Sequence, residues 1–380
     1  MRIAIFDYRV ISTNPVGSCH LRVLKGLCEL HEFTVFAVEF ENPCPERIRW
    51  VKLPLPVRPY ILLYALYHLL APLAYAYQRL ARGARFDLVQ IVESNLLFGD
   101  ISYSHFCHRL YLKRHWRETR APGPRGLLRG LAHRAAALME PAVYRRVRHI
   151  VAPSRGLMSE LTQVYPRQKA KLRLLPNPVD TERLQPPNEQ WREEIRSRQG
   201  IAPDEVVFVF VALGHFERKG LPLVLEAIRQ AGDCPLRLLV AGGERGLIAK
   251  YQARVEAMGI AGRVRLEGMQ RDLRPYYWAA DAFILPSCYE VFPLVALEAA
   301  AAGLPLVATR VNGVEEMLDD DYNGLVIDRT ADSVATGMRR IANMTSEQRR
   351  LMGDRARQKV ACYGSDRFVS AWRDFYESLA

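Results

Sequence analysis

Glu290 and Glu298 are separated by seven residues in a stretch, 281–313, whose other side chains are mostly apolar. Two carboxylates so placed can accept hydrogen bonds from the hydroxyls of a sugar or a ribose. The plainer reading pairs Glu298 with an arginine across a helix–sheet seam and leaves Glu290 a solvated loop acid. Burying an unpaired charge is costly, so a carboxylate inside a Leu/Ala run needs a partner or a task. Arg218 and Lys219 are adjacent cations at the turn after an apolar run. Beside a helix N-terminus they can neutralise a diphosphate; otherwise they are two exposed cations. His105 follows a short apolar run, where a parallel strand would deliver it to a cleft, and His108 is its rival. Both histidines read equally as surface partners of acidic or anionic surroundings.

The elements that must hold these groups can be read from punctuation. Ala282–Leu285 is a short buried strand ended by Pro286 and Ser287, and Glu290 falls in the following loop. Pro293 opens a helix whose run LVALEAAAA is rich in good helix formers. Gly303 stops that helix and Pro305 follows two residues later, before a second strand at Leu306–Ala308. Further buried strands are expected at 3–6, 33–38, 86–92, 149–153, 206–213 and 236–243. Gly17-Ser18 lies just before an amphipathic helix and either presents backbone N–H groups to a phosphate or is a plain turn. Gly242-Gly243 closes a strand where it can line a pocket. Strands and helices alternate throughout, so the expected class is α/β, with two Rossmann-like, doubly wound parallel-sheet domains facing across a cleft. Ligands of such sheets bind off the carboxyl ends of the strands.

The frame PSCYEVFPLVALEAAAAGLPLVAT, Pro286 to Thr309, closely resembles the signature of family 4 glycosyltransferases, retaining enzymes of the GT-B fold. The resemblance implies that Glu298 holds ribose hydroxyls of a nucleotide-sugar and that Glu290 lies near its sugar. It implies that Lys219-Gly220 ends the family's basic pair, although His215 stands where members often carry Arg. Arg218 and Lys219 would then stabilise the leaving diphosphate, with His105 near the donor sugar. Gly17, Ser18, Gly214, Gly242, Met269, Val291, Phe292, Pro293, Leu294 and Glu298 are the expected donor-binding positions. Ser18 replaces the second glycine of a pair common in the family, and Gly268 with Met269 would lie near the nucleobase. No metal and no cofactor is expected beyond the nucleotide-sugar co-substrate. LPNPVD resembles the family's crossing between domains, giving an acceptor domain at 1–180, a nucleotide-sugar domain at 181–362 and a terminal helix at 363–380 that crosses back to the first. Phe368, Trp372 and Phe375 at helix spacing are the staple of that helix.

The chain has 380 residues and a net charge of +12, unevenly spread. Residues 1–175 carry 27 Lys and Arg against 12 Asp and Glu, the remainder 26 against 29. A basic first half meets something anionic. Nucleic acid is disfavoured, for there is no zinc spacing, no basic-aromatic ribonucleoprotein motif and no arginine-rich tail. Residues 60–77, YILLYALYHLLAPLAYAY, carry no charge but hold His68, Pro72 and five Tyr, so they suit a core helix pair or a surface dipping into a bilayer better than a span. From Arg109 to Arg148 eleven cations, Arg125 among them, face two acids, and Pro122-Gly123-Pro124 breaks the run. The expected acceptor is therefore a glycan or glycolipid at an anionic membrane surface, with the protein peripheral on its cytoplasmic side. Seven cysteines without CxxC fit reduced thiols in the cytosol. The competing readings are an epimerase or phosphorylase on the same architecture and a catalytically silent membrane anchor.

Overall fold

The structure, a computed structural model, describes residues 1–120, 123–232 and 234–379. The expected break at Pro122 and the Arg125 side chain lie outside the described residues. Two compact units are present, one formed by Met1–Pro178 with Ser365–Ala380, the other by Val179–Gly364.

The first unit is built on seven parallel strands: β1 (Arg2–Phe6), β2 (Glu32–Ala37), β3 (Ile48–Lys52), β4 (Leu88–Val92), β5 (Ile101–Tyr103), β6 (His149–Ala152) and β7 (Leu172–Leu174), in spatial order β3-β2-β1-β4-β5-β6-β7. The second has six: β8 (Val206–Val211), β9 (Leu236–Ala241), β10 (Val264–Gly268), β11 (Ala282–Leu285), β12 (Leu306–Ala308) and β13 (Gly324–Val326), in order β10-β9-β8-β11-β12-β13. Both are doubly wound. Strand order reverses between β1 and β4 in one unit and between β8 and β11 in the other, and such reversals open a crevice at the carboxyl ends.

Strands covered on both faces read as unbroken apolar runs, and VVFVFV of β8 is buried along its whole length. Helix α1 (Pro15–Leu27) is capped by the Asn14 side chain, with Pro15 at its first position. Helix α2 (Tyr60–Leu80) is one continuous helix with Pro72 inside it, where a helix pair was one expectation. Pro72 removes a single amide donor on a half-buried turn, and the helix runs on through it. Helix α2 buries Leu63, Tyr64, Tyr67 and Ala71 and packs against helix α3 (Pro124–Arg146).

In the second unit α4 (Leu221–Gln230) follows β8, and α5 (Leu294–Ala301) follows β11. The small side chains Ala296, Ala299, Ala300 and Ala301 let α5 lie close in the core. The terminal helix α6 (Ser365–Glu377) belongs to the first unit, where Phe368, Trp372 and Tyr376 are buried and the helix packs on α1. Phe375 is half-buried beside them.

Candidate active site

In the second unit the expected charges meet at the strand-order reversal. The chain leaves β8 through Gly214 and His215, the latter at φ 57°, and makes one short turn, Phe216–Lys219. Phe216 is fully buried against Phe210 and Tyr251 and pins this turn to the core. Gly220 then takes φ 85°, and a Cβ there would overlap the Pro286 carbonyl oxygen, so only glycine lets the turn approach the end of β11. The two loops are laced together where the Cys288 amide donates to the Arg218 carbonyl at 3.0 Å.

Across this seam Lys219 Nζ lies 2.7 Å from Glu290 Oε1, with the two side chains 13% and 8% exposed. The Ser287 hydroxyl approaches the same oxygen at 2.8 Å, and Arg218 Nη1 donates to the Tyr289 carbonyl at 3.3 Å. Glu290 is thus not a solvated loop acid, and Lys219 is not an exposed cation. Burial opposes ionisation of Glu290, but Lys219 and Arg218 outweigh it and hold the carboxyl below its usual range. Burial also pulls the Lys219 ammonium below the ordinary lysine range, against the stabilising charge of Glu290. One carboxylate between two cations leaves the cluster one positive charge in surplus.

Glu298, on the second turn of α5, is half-buried and accepts a hydrogen bond from the Tyr277 hydroxyl at 3.0 Å. Burial holds Tyr277 far above its usual range, so it stays a donor. Gly214, Gly242 and Met269 follow the ends of three neighbouring strands, β8, β9 and β10. An added Cβ at Gly214 would meet nothing within 4 Å, and Met269 is 49% exposed. Gly242 donates to the Gly268 carbonyl at 2.6 Å and closes the β9 edge of this row. Val291, Phe292 and Pro293 are buried in the loop before α5, and Leu294 begins that helix half-buried.

In the first unit, one expectation is corrected. Gly17 and Ser18 do not precede α1 but lie in its first turn. The Gly17 amide already donates to Asn14 Oδ1 at 2.9 Å and the Ser18 amide to the Asn14 carbonyl at 2.7 Å, so neither is held out for a phosphate. A Cβ at Gly17 would overlap the Arg9 carbonyl oxygen, which explains the glycine by packing instead. His105, just past β5, stacks edge-on to Tyr103 and shares Asn177 Oδ1 with it through Nε2 at 3.1 Å. Its Nδ1 is buried without a hydrogen-bond partner among the described residues. Burial pushes its pKa down to about 4, so the ring is neutral at neutral pH. His108 is buried rather than a surface residue, bonded to Glu93.

Tyr277, Ser287 and Asn177 are the partners that sequence reading missed. Tyr277 lies in an aromatic triplet that looks like core and is core; its hydroxyl is polar cargo with no signature of its own. Ser287 marks the end of β11 in the sequence, and its second use becomes visible only with the loop in place.

Residues 16–183 match the family described as Glycosyltransferase Family 4, and residues 205–344 the family described as Glycosyl transferases group 1. A D-inositol 3-phosphate glycosyltransferase of Corynebacterium urealyticum is 30% identical over 234 residues, 58% of this chain and 54% of its own length. The lipopolysaccharide core biosynthesis glycosyltransferase LpsE of Rhizobium meliloti is 38% identical over 121 residues, 32% of this chain and 35% of its own. The chain thus spans about a third to a half of the length of these relatives. Among solved structures, WaaG, a glycosyltransferase involved in lipopolysaccharide biosynthesis, superposes with a TM-score of 0.79 at 18% identity, covering 98% of this chain and 99% of that one. HepE of Anabaena, in complex with UDP and glucose, does so with 0.76 at 16% identity, covering 100% of both. At these identities the structural likeness establishes the fold.

Proposed function

The chain belongs to the family 4 and group 1 glycosyltransferases of the GT-B fold, and from that premise we propose a retaining transferase moving a sugar from a nucleoside-diphosphate sugar to a membrane-associated glycan or glycolipid. The observation that carries this reading is the Lys219–Glu290 pair at the β8/β11 reversal, with Arg218 beside it. A diphosphate leaving a sugar gains negative charge, and preorganised cations in a site shielded from water stabilise that charge most effectively. Arg218 and Lys219 supply it here without calling on a metal ion. Glu290 holds Lys219 in place by Oε1, and we assign Oε2 to a hydroxyl of the donor sugar. Backbone amides around Val291 and Phe292 orient the same sugar. Glu298, aimed by Tyr277, takes the ribose hydroxyls; Gly214, Gly242 and Met269 border the nucleotide. His105, neutral, holds a sugar hydroxyl through the nitrogen that the protein leaves unpaired. A complex of HepE with UDP and glucose on the same fold supports a nucleotide-sugar donor.

The acceptor side rests on surface chemistry. On α2, Leu62, Leu69, Leu73, Tyr77 and Leu80 are exposed along one face, and on α3 Leu127, Leu131 and Leu138 are exposed. Exposed Arg79, Arg82, Arg85, Arg134, Arg145 and Arg146 belong to the same unit. Leucines rimmed by cations suit the headgroup level of an anionic membrane, and we place the protein peripherally on the cytoplasmic face. The names of LpsE and WaaG, both tied to lipopolysaccharide, support such an acceptor.

The test is thermal stabilisation by a panel of nucleoside diphosphates and their sugar conjugates, each variant referred to its own unliganded midpoint. A ligand at a hundredfold its Kd adds about 2.7 kcal/mol. One base should stabilise the wild type and lose that effect in Lys219→Ala and Glu298→Ala. A silent anchor would show no shift with any nucleotide, and that result overturns the transferase.

A further inference from the structure

The β1/β4 reversal of the first unit holds a second cluster that the donor chemistry does not use. Glu93 is the first residue past β4 and takes φ 51°, a left-handed conformation unfavourable for anything but glycine or asparagine. The strained residue is tied down on both sides. Its amide donates to the Tyr103 carbonyl at 3.0 Å and its carbonyl accepts from the Ser102 hydroxyl at 2.7 Å. What this strain achieves is direction: the Glu93 carboxylate lies 3.1 Å from His108 Nε2. His108 Nδ1 in turn lies 2.9 Å from His133 Nδ1, a contact that has room for only one hydrogen. His108 therefore donates on one edge to Glu93 and shares one proton on the other with His133.

Tying α3 to β4 would need none of this, since a packed apolar pair of similar volume does that job without the desolvation cost. Beside the relay, moreover, lies a cavity of about 200 Å³, lined by Tyr60, Glu93, Phe106, His108, Arg129 and His133. That is below the size of a pocket for a drug-sized ligand and suits one sugar ring. Phe106 stacks on His133, with ring centroids 5.4 Å apart, and Tyr60 is 45% exposed, giving aromatic surface for the apolar face of a sugar. Glu93, whose Oε2 holds His108, offers its second carboxylate oxygen as an acceptor for a hydroxyl. Arg129 offers the planar fork that pairs with a carboxylate or a phosphate.

We propose that this pocket receives an anionic sugar unit of the acceptor, with a hydroxyl on Glu93, which His108 and His133 hold in place, and its negative group on Arg129. The proposal deepens the transferase reading and rests on it. The negative group is either a carboxylate or a phosphate, and the probes separate the two.

The full chain, with ¹⁵N-labelled histidine, is titrated with glucuronic acid, glucose 6-phosphate and glucose while the His108 and His133 ring signals are followed. One anionic sugar should move both signals to saturation, and glucose should bind at least about tenfold more weakly, equivalent to about 1.4 kcal/mol. Arg129→Gln should abolish that preference for the anionic sugar while keeping the stabilisation by a nucleoside diphosphate, which shows the variant folded. Glu93→Gln should weaken all three sugars together. If a nucleoside diphosphate stabilises the protein but no sugar moves either histidine, the pocket proposal is overturned and the transferase reading stands. If glucose matches the anionic sugars, the role of Arg129 is overturned. If an anionic sugar binds but no nucleotide does, the acceptor assignment falls with the transferase.

Discussion

Tyr277 reaches Glu298 from a position with no solvent exposure, so its hydroxyl has lost all alternative partners in water. A buried donor of this kind fixes which way a half-exposed carboxylate points, and that is its value to a ribose held by two hydroxyls. Tyr277→Phe keeps the ring and removes the hydrogen bond, worth about 1.5–3 kcal/mol to a charged acceptor. We expect the affinity for the preferred nucleoside diphosphate to fall about tenfold. The 2′-deoxy analogue, which lacks one of the hydroxyls, should lose much less. Titration calorimetry of both ligands with both proteins checks this, and an equal loss for the two would detach Tyr277 from ribose recognition. The same residues show what a sequence discloses. Charges in an apolar frame, Arg218, Lys219, Glu290 and Glu298, stand out because burial makes each one demand a partner. Their partners do not stand out. Tyr277 is camouflaged by neighbours of its own kind, and Asn177 meets His105 across 72 residues of chain.

Elements place those charges, and glycine sets how closely two of them approach. At Gly220 both a positive φ and the Pro286 carbonyl forbid a side chain, whereas at Gly214 an added Cβ meets open space. Gly220→Ala must therefore push the Lys219 turn away from the Glu290 loop, and we expect a loss of about 2 kcal/mol or more in urea unfolding, in the range of strained-backbone changes. Gly214→Ala should leave stability within about 0.5 kcal/mol, as surface changes do, while weakening donor binding. A Gly220→Ala protein as stable as wild type would show that the seam does not depend on that approach. The longer buried strands were legible here because parallel strands covered on both faces are continuous apolar runs. Ile48–Lys52, Leu172–Leu174, Val264–Gly268 and Gly324–Val326, short or partly polar, were not, and neither was the order of the strands. The start of α1 was misplaced by a few residues although its signal was present. Asn14 followed by Pro15 is a cap and first-turn pair, and weighing it would have put Gly17 inside the helix. Helix α2 was ambiguous for a different reason, since Pro72 reads as a break and costs only one hydrogen bond where it lies.

At the scale of the molecule, the two sheets repeat one strand order, and the whole of the surplus positive charge lies in residues 1–175, the remainder being slightly negative. Sequence composition reveals that imbalance but not that the leucines of α2 and α3 are exposed beside it, because an apolar helix reads the same in a core and on a surface. Membrane binding should accordingly have two separable parts. The basic side chains contribute about 1 kcal/mol each near an anionic leaflet, and salt screens them over a Debye length of about 8–10 Å. The leucines contribute by burial, which salt does not weaken. Sedimentation with vesicles should show strong binding to anionic lipid at low salt and a residual component at high salt. Leu69→Ser with Leu73→Ser, at positions 60% and 59% exposed, should remove the residual high-salt component and spare the salt-sensitive part. The nucleotide-induced thermal shift should survive both substitutions, since neither lies in the second unit. Equal binding to neutral and anionic vesicles at moderate salt would remove the anionic surface from the proposal, and no binding to either would remove the membrane, leave the donor site untouched, and turn the search for the acceptor towards a soluble glycan.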